Sequence, residues 1–215
     1  MKNNWSMPAG VLAACFLMTG CLVGETTHTL YLDPHGALTW SVLERNIRSN
    51  EDDPAERRVE EKSYIERARD GRHDVARALG HLRPLDVNWR VLRGAKPFSV
   101  LTEARYESPA HLARALLDKL GARGDAWMER VGDSTRFILI LDADQGCEDE
   151  DAPDVLGALV AELEDYRIHL TSGRFVDAVG FNIEGVKNIA VPEEVEEDEA
   201  GKLVYSLTWT TDAAK

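Results

Sequence analysis

The feature that most constrains the fold of this chain is a two-residue alternation of apolar and polar side chains. It is strictest from Leu85 to Val91 and from Leu203 to Trp209. Successive side chains of a β-strand point to opposite faces of a sheet, so each segment predicts a strand with one apolar face. Turn residues separate several such segments into pairs, as at Pro34 and Gly36, and this spacing predicts hairpins.

Three other stretches predict helices. The first begins at Pro54 and is interrupted at Gly71, the second begins at Pro109, and the third begins at Pro153. One helix therefore follows each of three hairpins. We predict an α+β fold in which a mostly antiparallel sheet is built from successive hairpins, with about three helices packed on it, as a single domain over residues 28–212.

The first twenty residues predict a removable signal rather than a membrane span. The apolar run from Ala9 to Met18 has roughly half the ~20 residues that a spanning helix needs. It leads into Thr19, Gly20 and Cys21, and this ending resembles the lipobox of bacterial lipoproteins. The resemblance implies that residues 1–20 are a signal peptide and that Cys21 carries a lipid and becomes the new N-terminus. It also implies a lipid-anchored location in the bacterial cell envelope.

The residues after the lipobox refine that expectation. Leu22, not Asp, follows the cysteine, which in Gram-negative lipoproteins resembles the pattern of proteins sent to the outer membrane, facing the periplasm. Residues 21–27 predict a short tether that keeps the domain close to the membrane. The expected partner is therefore the membrane, through a lipid on Cys21, with another envelope protein as a further candidate.

Charge and cysteine content restrict the partners and the covalent framework further. The chain has 25 basic and 38 acidic residues, a formal net charge of −13, and this acidity argues against binding nucleic acid. If Cys15 leaves with the signal and Cys21 carries lipid, only Cys147 remains of the three cysteines. No internal disulfide is then possible.

One acidic segment, residues 142–151, predicts a weak cation site. Carboxylates are the oxygen ligands that Ca²⁺ prefers, and the candidate ligands are Asp142, Asp144, Glu148 and Asp149. The alternative is electrostatic, because acidic residues before a helix stabilise its positive N-terminal end. No other cofactor is predicted.

No catalytic motif is recognisable in the sequence. It contains no Gly-x-Ser-x-Gly elbow, no Ser-x-x-Lys, no phosphate-binding loop and no His-Glu-x-x-His helix. Trp40, Trp89 and Trp209 lie on alternating apolar faces, where they predict core packing or, alternatively, the wall of a ligand groove. We therefore predict a non-catalytic binding or scaffolding protein, with an envelope hydrolase built from scattered residues or a calcium-binding module as alternatives.

Overall fold

The computed structural model describes residues 22–142, 166–185, 188–193, 195 and 197–211. Strands and helices alternate along this part of the chain. Their bounds are β1 Leu22–Leu32, β2 Leu38–Ser49, α1 Pro54–Arg69, α2 Asp74–Gly80, β3 Asp86–Arg93, β4 Phe98–Tyr106, α3 Pro109–Leu120, β5 Gly124–Val131, β6 Ser134–Asp142, β7 Ile168–Leu170, β8 Arg174–Val179, β9 Phe181–Glu184, β10 Ile189–Pro192 and β11 Lys202–Thr210.

These strands form two separate sheets. The larger has seven strands in the order β3-β4-β2-β1-β7-β10-β9, and the smaller has four in the order β5-β6-β11-β8. The smaller sheet is antiparallel throughout. The larger sheet is mixed, because β7 lies parallel to β1, with Leu30 opposite Ile168 and Leu32 opposite Leu170.

The predicted fold class, an α+β fold with about three helices on one antiparallel sheet, is therefore wrong. Strands make up 51% of the described structure, and they are divided between two sheets. Two described helices exceed ten residues and a third has only seven. The error has a physical cause: alternation shows which face of a strand is buried, but it does not show which strand lies beside it.

The predictions of individual hairpins and helices were more accurate. The three predicted hairpins are confirmed as the antiparallel pairs β1–β2, β3–β4 and β5–β6. The first predicted helix is divided as expected, with α1 ending at Arg69 and α2 beginning at Asp74. The predicted helix that begins at Pro153 lies outside the described residues.

Local chemistry explains where the longer helices begin and end. The Asp53 side chain accepts a hydrogen bond from the backbone N–H of Ala55 at the start of α1. Ser108 likewise caps α3 through the N–H of His111, and Gly121 ends that helix with a φ of 68°. These are the ordinary N-cap and left-handed C-terminal signals. Helices α1 and α2 pack on the larger sheet, whereas α3 contacts strands of both sheets.

The N-terminal end of the described chain differs from the expected tether. Strand β1 begins at Leu22, which lies opposite Ser49 of β2, and its pairing is interrupted only between Val23 and Glu25. Residues 22–27 are therefore part of the sheet. Cys21 and the predicted signal peptide lie outside the described residues. None of the described helices is long and apolar enough to cross a membrane.

The described residues form two hydrophobic cores. The main core lies between the sheets and includes the fully buried side chains of Leu32, Tyr106 and Trp209. A smaller core lies under α1, formed by Ile47, Tyr64, Ile65, Ala68, Phe98 and Val100.

Candidate functional site

The main core contains a cavity of about 270 Å³. Its described walls come from both sheets and from helices α2 and α3. Most of the lining is aliphatic or aromatic. The lining residues include Leu30, Leu32, Leu38, Trp40, Leu79, Leu82, Leu112, Ala113, Leu116, Lys119, Leu120, Phe137, Leu139, Tyr166, Ile168, Phe181, Tyr205, Leu207 and Trp209.

Strand and helix periodicity directs these side chains into the cavity. In β2 the residues Leu38 and Trp40 are two positions apart and therefore point to the same face. In α3 the lining residues Leu112, Ala113 and Leu116 follow the spacing of one helix face. The cavity is thus walled by the apolar faces that the sequence pattern predicted.

The structure separates the three tryptophans that were predicted to pack in the core or, alternatively, to line a ligand groove. Trp40 and Trp209 both line the cavity. Trp89 does not: it lies on the edge strand β3, is 39% exposed, and donates a 3.2 Å hydrogen bond to the carbonyl oxygen of Arg69. The core prediction is therefore confirmed for Trp40 and Trp209, which also line the cavity, and is wrong for Trp89.

Both cavity indoles use their N–H groups within the protein. Trp40 Nε1 donates to His28 Nδ1 at 3.2 Å, and Trp209 Nε1 donates to the Pro34 carbonyl oxygen at 3.0 Å. The rings of His28, Trp40 and Tyr166 pack against one another with centroids 5.3–5.8 Å apart. These indoles therefore present apolar ring surface, suited to hydrophobic contact.

A second notable cluster consists of ionisable side chains buried where α1 and α2 meet the larger sheet. His73 has no exposed side-chain surface, and its Nε2 atom lies 2.8 Å from Thr102 Oγ1 and 3.7 Å from Glu44 Oε2. The Tyr64 ring packs edge-on to His73, with centroids 6.5 Å apart. We call Glu44, Tyr64, His73 and Thr102 the polar cluster.

Burial shifts the proton equilibria of the polar cluster. It raises the pKa of the Glu44 carboxyl to about 7, because the ionised form is poorly solvated there. For the same reason it lowers the pKa of His73 to about 4. Burial also raises the pKa of the Tyr64 hydroxyl. All three groups are neutral at moderately acidic pH.

The polar cluster and the cavity are separate. None of the four cluster residues belongs to the described lining of the cavity. A hydrolytic site needs ionisable groups that converge on a concave pocket, and the three shifted groups of the polar cluster lie instead in a packed interface. The described part of the chain also contains no group of three His, Cys, Asp or Glu side chains placed to hold a metal ion.

The predicted cation site is described at one residue only. Asp142 ends β6, and its Oδ1 atom lies 3.9 Å from Lys202 Nζ. Asp144, Glu148 and Asp149 lie outside the described residues. A calcium site in this segment stays a prediction.

The polar cluster was not predicted from the sequence, although Glu44 carries a signal. It follows Leu38, Trp40 and Val42 at two-residue intervals and so occupies an inward position of β2. A charged residue in a buried register needs a polar environment. No comparable signal identifies His73, which precedes a short helix.

The chain matches no protein-family model and no curated protein. Among solved structures it is similar to the folded domain of the Mycobacterium tuberculosis protein LppM, determined by NMR, with a TM-score of 0.35 and 9% sequence identity. The alignment covers 91% of this chain and 95% of the other. A TM-score this low does not show a common fold, so no property of that domain is transferred to this chain.

Proposed function

We propose that this protein is a non-catalytic, lipid-anchored module of the bacterial cell envelope that binds an apolar ligand in the cavity between its two sheets. The observation that carries the proposal is the cavity itself, a volume of about 270 Å³ lined mainly by aliphatic and aromatic side chains. Ligand sites in proteins are typically concave and predominantly apolar, and few in number per chain.

The size and chemistry of the cavity favour a ligand over bulk water. An apolar cavity of roughly 150 Å³ stays dry and accepts a molecule such as benzene, and this cavity is larger. A ligand that fills it gains about 25 cal/mol for each Å² of apolar surface removed from water. The absence of catalytic motifs in the sequence agrees with binding rather than turnover.

Ligand binding is tested with the neutral fluorescent probe 1-aminoanthracene, titrated into the purified chain without its signal peptide. Ala113 lines the cavity, whereas Ala115 of the same helix packs against the core without lining the cavity. Ala113→Leu should weaken probe binding at least tenfold by filling the cavity, and Ala115→Leu should change it less than twofold. Both variants must unfold cooperatively.

Two results would contradict the binding proposal. One is the absence of any saturable fluorescence change with the wild-type protein. The other is equal weakening by Ala113→Leu and Ala115→Leu, because the probe would then bind elsewhere or report a general loosening of the fold.

The envelope location rests on the lipobox and needs its own test. The full chain expressed in a bacterium should partition into the detergent phase, and Cys21→Ser should move it to the aqueous phase. If the Cys21→Ser variant stays with the membrane, lipidation of Cys21 is not what holds the protein there.

A further inference from the structure

Lys119 is the only charged side chain among the described residues that line the cavity. It lies in the last turn of α3 and is exposed. A lysine contributes an apolar stem to a cavity wall while its ammonium group stays in water. Lys119 therefore marks the place where the apolar interior meets solvent.

Within the described part of the chain, Lys119 has no acidic partner. The neighbouring Asp118 has its Oδ2 atom 3.9 Å from Arg83 Nη1, so these two side chains form an ion pair. No described residue forms an ion pair with Lys119. An ammonium group without a described acidic partner favours an anion at the rim, where its short-range attraction opposes the long-range repulsion from the net charge of −13.

We infer that the ligand is a single-chain fatty acid, with its hydrocarbon chain in the cavity and its carboxylate beside the Lys119 ammonium group. The inference rests on the proposed function and adds the ligand class. An ionised carboxylate buried in an apolar cavity would be costly. The head group therefore stays at the rim, where water and Lys119 both reach it.

The cavity volume limits the ligand to one chain. Sites for drug-sized ligands generally span about 300–1,000 Å³, and about 270 Å³ lies just below that range. A phospholipid with two acyl chains would leave much of its apolar surface in water. A single medium-length chain matches the space better.

The test compares two amphiphiles that have the same ten-carbon chain length and differ in the head group, which is a charged carboxylate in one and a neutral hydroxyl in the other. Decanoate and 1-decanol compete with 1-aminoanthracene for the purified protein at a pH where the carboxylate is ionised. Lys119→Gln removes the rim charge. Lys62→Gln serves as the matched control, because Lys62 is an exposed lysine of α1 that pairs with Glu66, and neither residue belongs to the described cavity lining.

Lys119→Gln should weaken the binding of decanoate about threefold to fivefold, the size expected of one exposed charge pair. It should change the binding of 1-decanol less than twofold. Lys62→Gln should change neither. If both amphiphiles compete but Lys119→Gln affects them equally, the carboxylate inference is overturned while the proposed function stands. If neither amphiphile nor the probe binds, the proposed function itself is overturned.

Discussion

The Nε2 atom of His73 lies 3.7 Å from the Oε2 atom of Glu44, a distance at which a charged pair would form a salt bridge. Burial raises the pKa of Glu44 to about 7 and lowers the pKa of His73 to about 4. Between these values the carboxyl is protonated and the imidazole is neutral. The contact is therefore one between two uncharged groups over most of the acidic range.

The two shifts predict opposite effects of pH on stability. The folded state binds the Glu44 proton more tightly than the unfolded state does. The contribution of Glu44 to the free energy of unfolding therefore falls as pH rises from about 4.5 to about 7. The folded state binds the His73 proton less tightly, so its contribution rises between about pH 4 and pH 6.5. Each slope is at most about 1.4 kcal/mol per pH unit.

Substitution of one residue should leave only the pH dependence of stability that the other residue contributes. We expect the free energy of unfolding of Glu44→Gln, measured by urea denaturation, to rise relative to wild type as pH increases from about 4.5 to about 7. For His73→Gln the difference should change in the opposite direction over about pH 4 to 6.5. Parallel pH profiles of both variants and the wild type would show that these pKa shifts are absent.

Removal of the Tyr106 hydroxyl should stabilise the protein. Tyr106 is fully buried, and its hydroxyl has no hydrogen-bond partner within the described chain. A buried unpaired polar group costs about 1–3 kcal/mol. Tyr106→Phe should therefore raise the free energy of unfolding by about 1 kcal/mol.

A matched variant separates the hydroxyl from the ring. The Tyr106 ring packs edge-on to His111, with centroids 6.0 Å apart. Tyr106→Leu should lower stability by about 2 kcal/mol, because it removes ring contacts as well as the hydroxyl. A loss of stability in Tyr106→Phe would mean that the hydroxyl has a partner, such as an ordered water.

Alanine should destabilise the protein by different amounts at two glycines that have left-handed backbone conformations. Gly132 has a φ of 61° and open space at the Cβ position, whereas Gly173 has a φ of 89° and a Cβ there would overlap the carbonyl oxygen of Thr210. Gly132→Ala should cost about 1 kcal/mol through backbone strain alone. Gly173→Ala should cost about 3 kcal/mol or more, since the backbone of β11 would have to move.

Thermal and urea unfolding of the two alanine variants measure that difference. Equal losses in Gly132→Ala and Gly173→Ala would show that the strand end at Thr210 moves freely. The close packing of β8 against β11 would then contribute little to stability.

Substitutions of Lys96 and Glu61 should have nonadditive effects on the free energy of unfolding. The Glu61 side chain is 4% exposed and forms an ion pair with Lys96, which is 55% exposed. Lys96→Met leaves a buried carboxylate without its cation and should cost about 2 kcal/mol. The double variant Lys96→Met with Glu61→Gln should lose less than Lys96→Met alone, because no uncompensated charge remains.

Urea denaturation of the two single variants and the double variant provides this coupling energy. A double variant whose loss of stability relative to wild type equals the sum of the two single losses would indicate that the two side chains act independently.

The sequence predicted the local structure well because strand alternation and turn chemistry depend on residues that are close together in the chain. The hairpin of β3 and β4 is visible in the alternation from Leu85 to Val91 and in the turn before Phe98. The sheet to which a hairpin belongs is decided by distant contacts. The parallel pairing of Leu30 with Ile168 has no counterpart in either local pattern.

The same limit applies to the candidate site. Apolar alternation predicted that Trp40 and Trp209 face inward, but only the packing of the two sheets brings them to one cavity. The polar cluster depends on a contact between Glu44 and His73 across 29 residues of chain that include helix α1. Lys119 resembles any surface lysine until the cavity beside it is known.

Strand β1 also separates the cavity from the predicted lipidation site. It runs without a break in secondary structure from Leu22 to Leu32, and Leu30 and Leu32 line the cavity. Eight residues of strand at about 3.3 Å each place Leu30 about 26 Å from Leu22. If Cys21 is lipidated as proposed, β1 is a stiff spacer that fixes the distance between the anchor and the cavity.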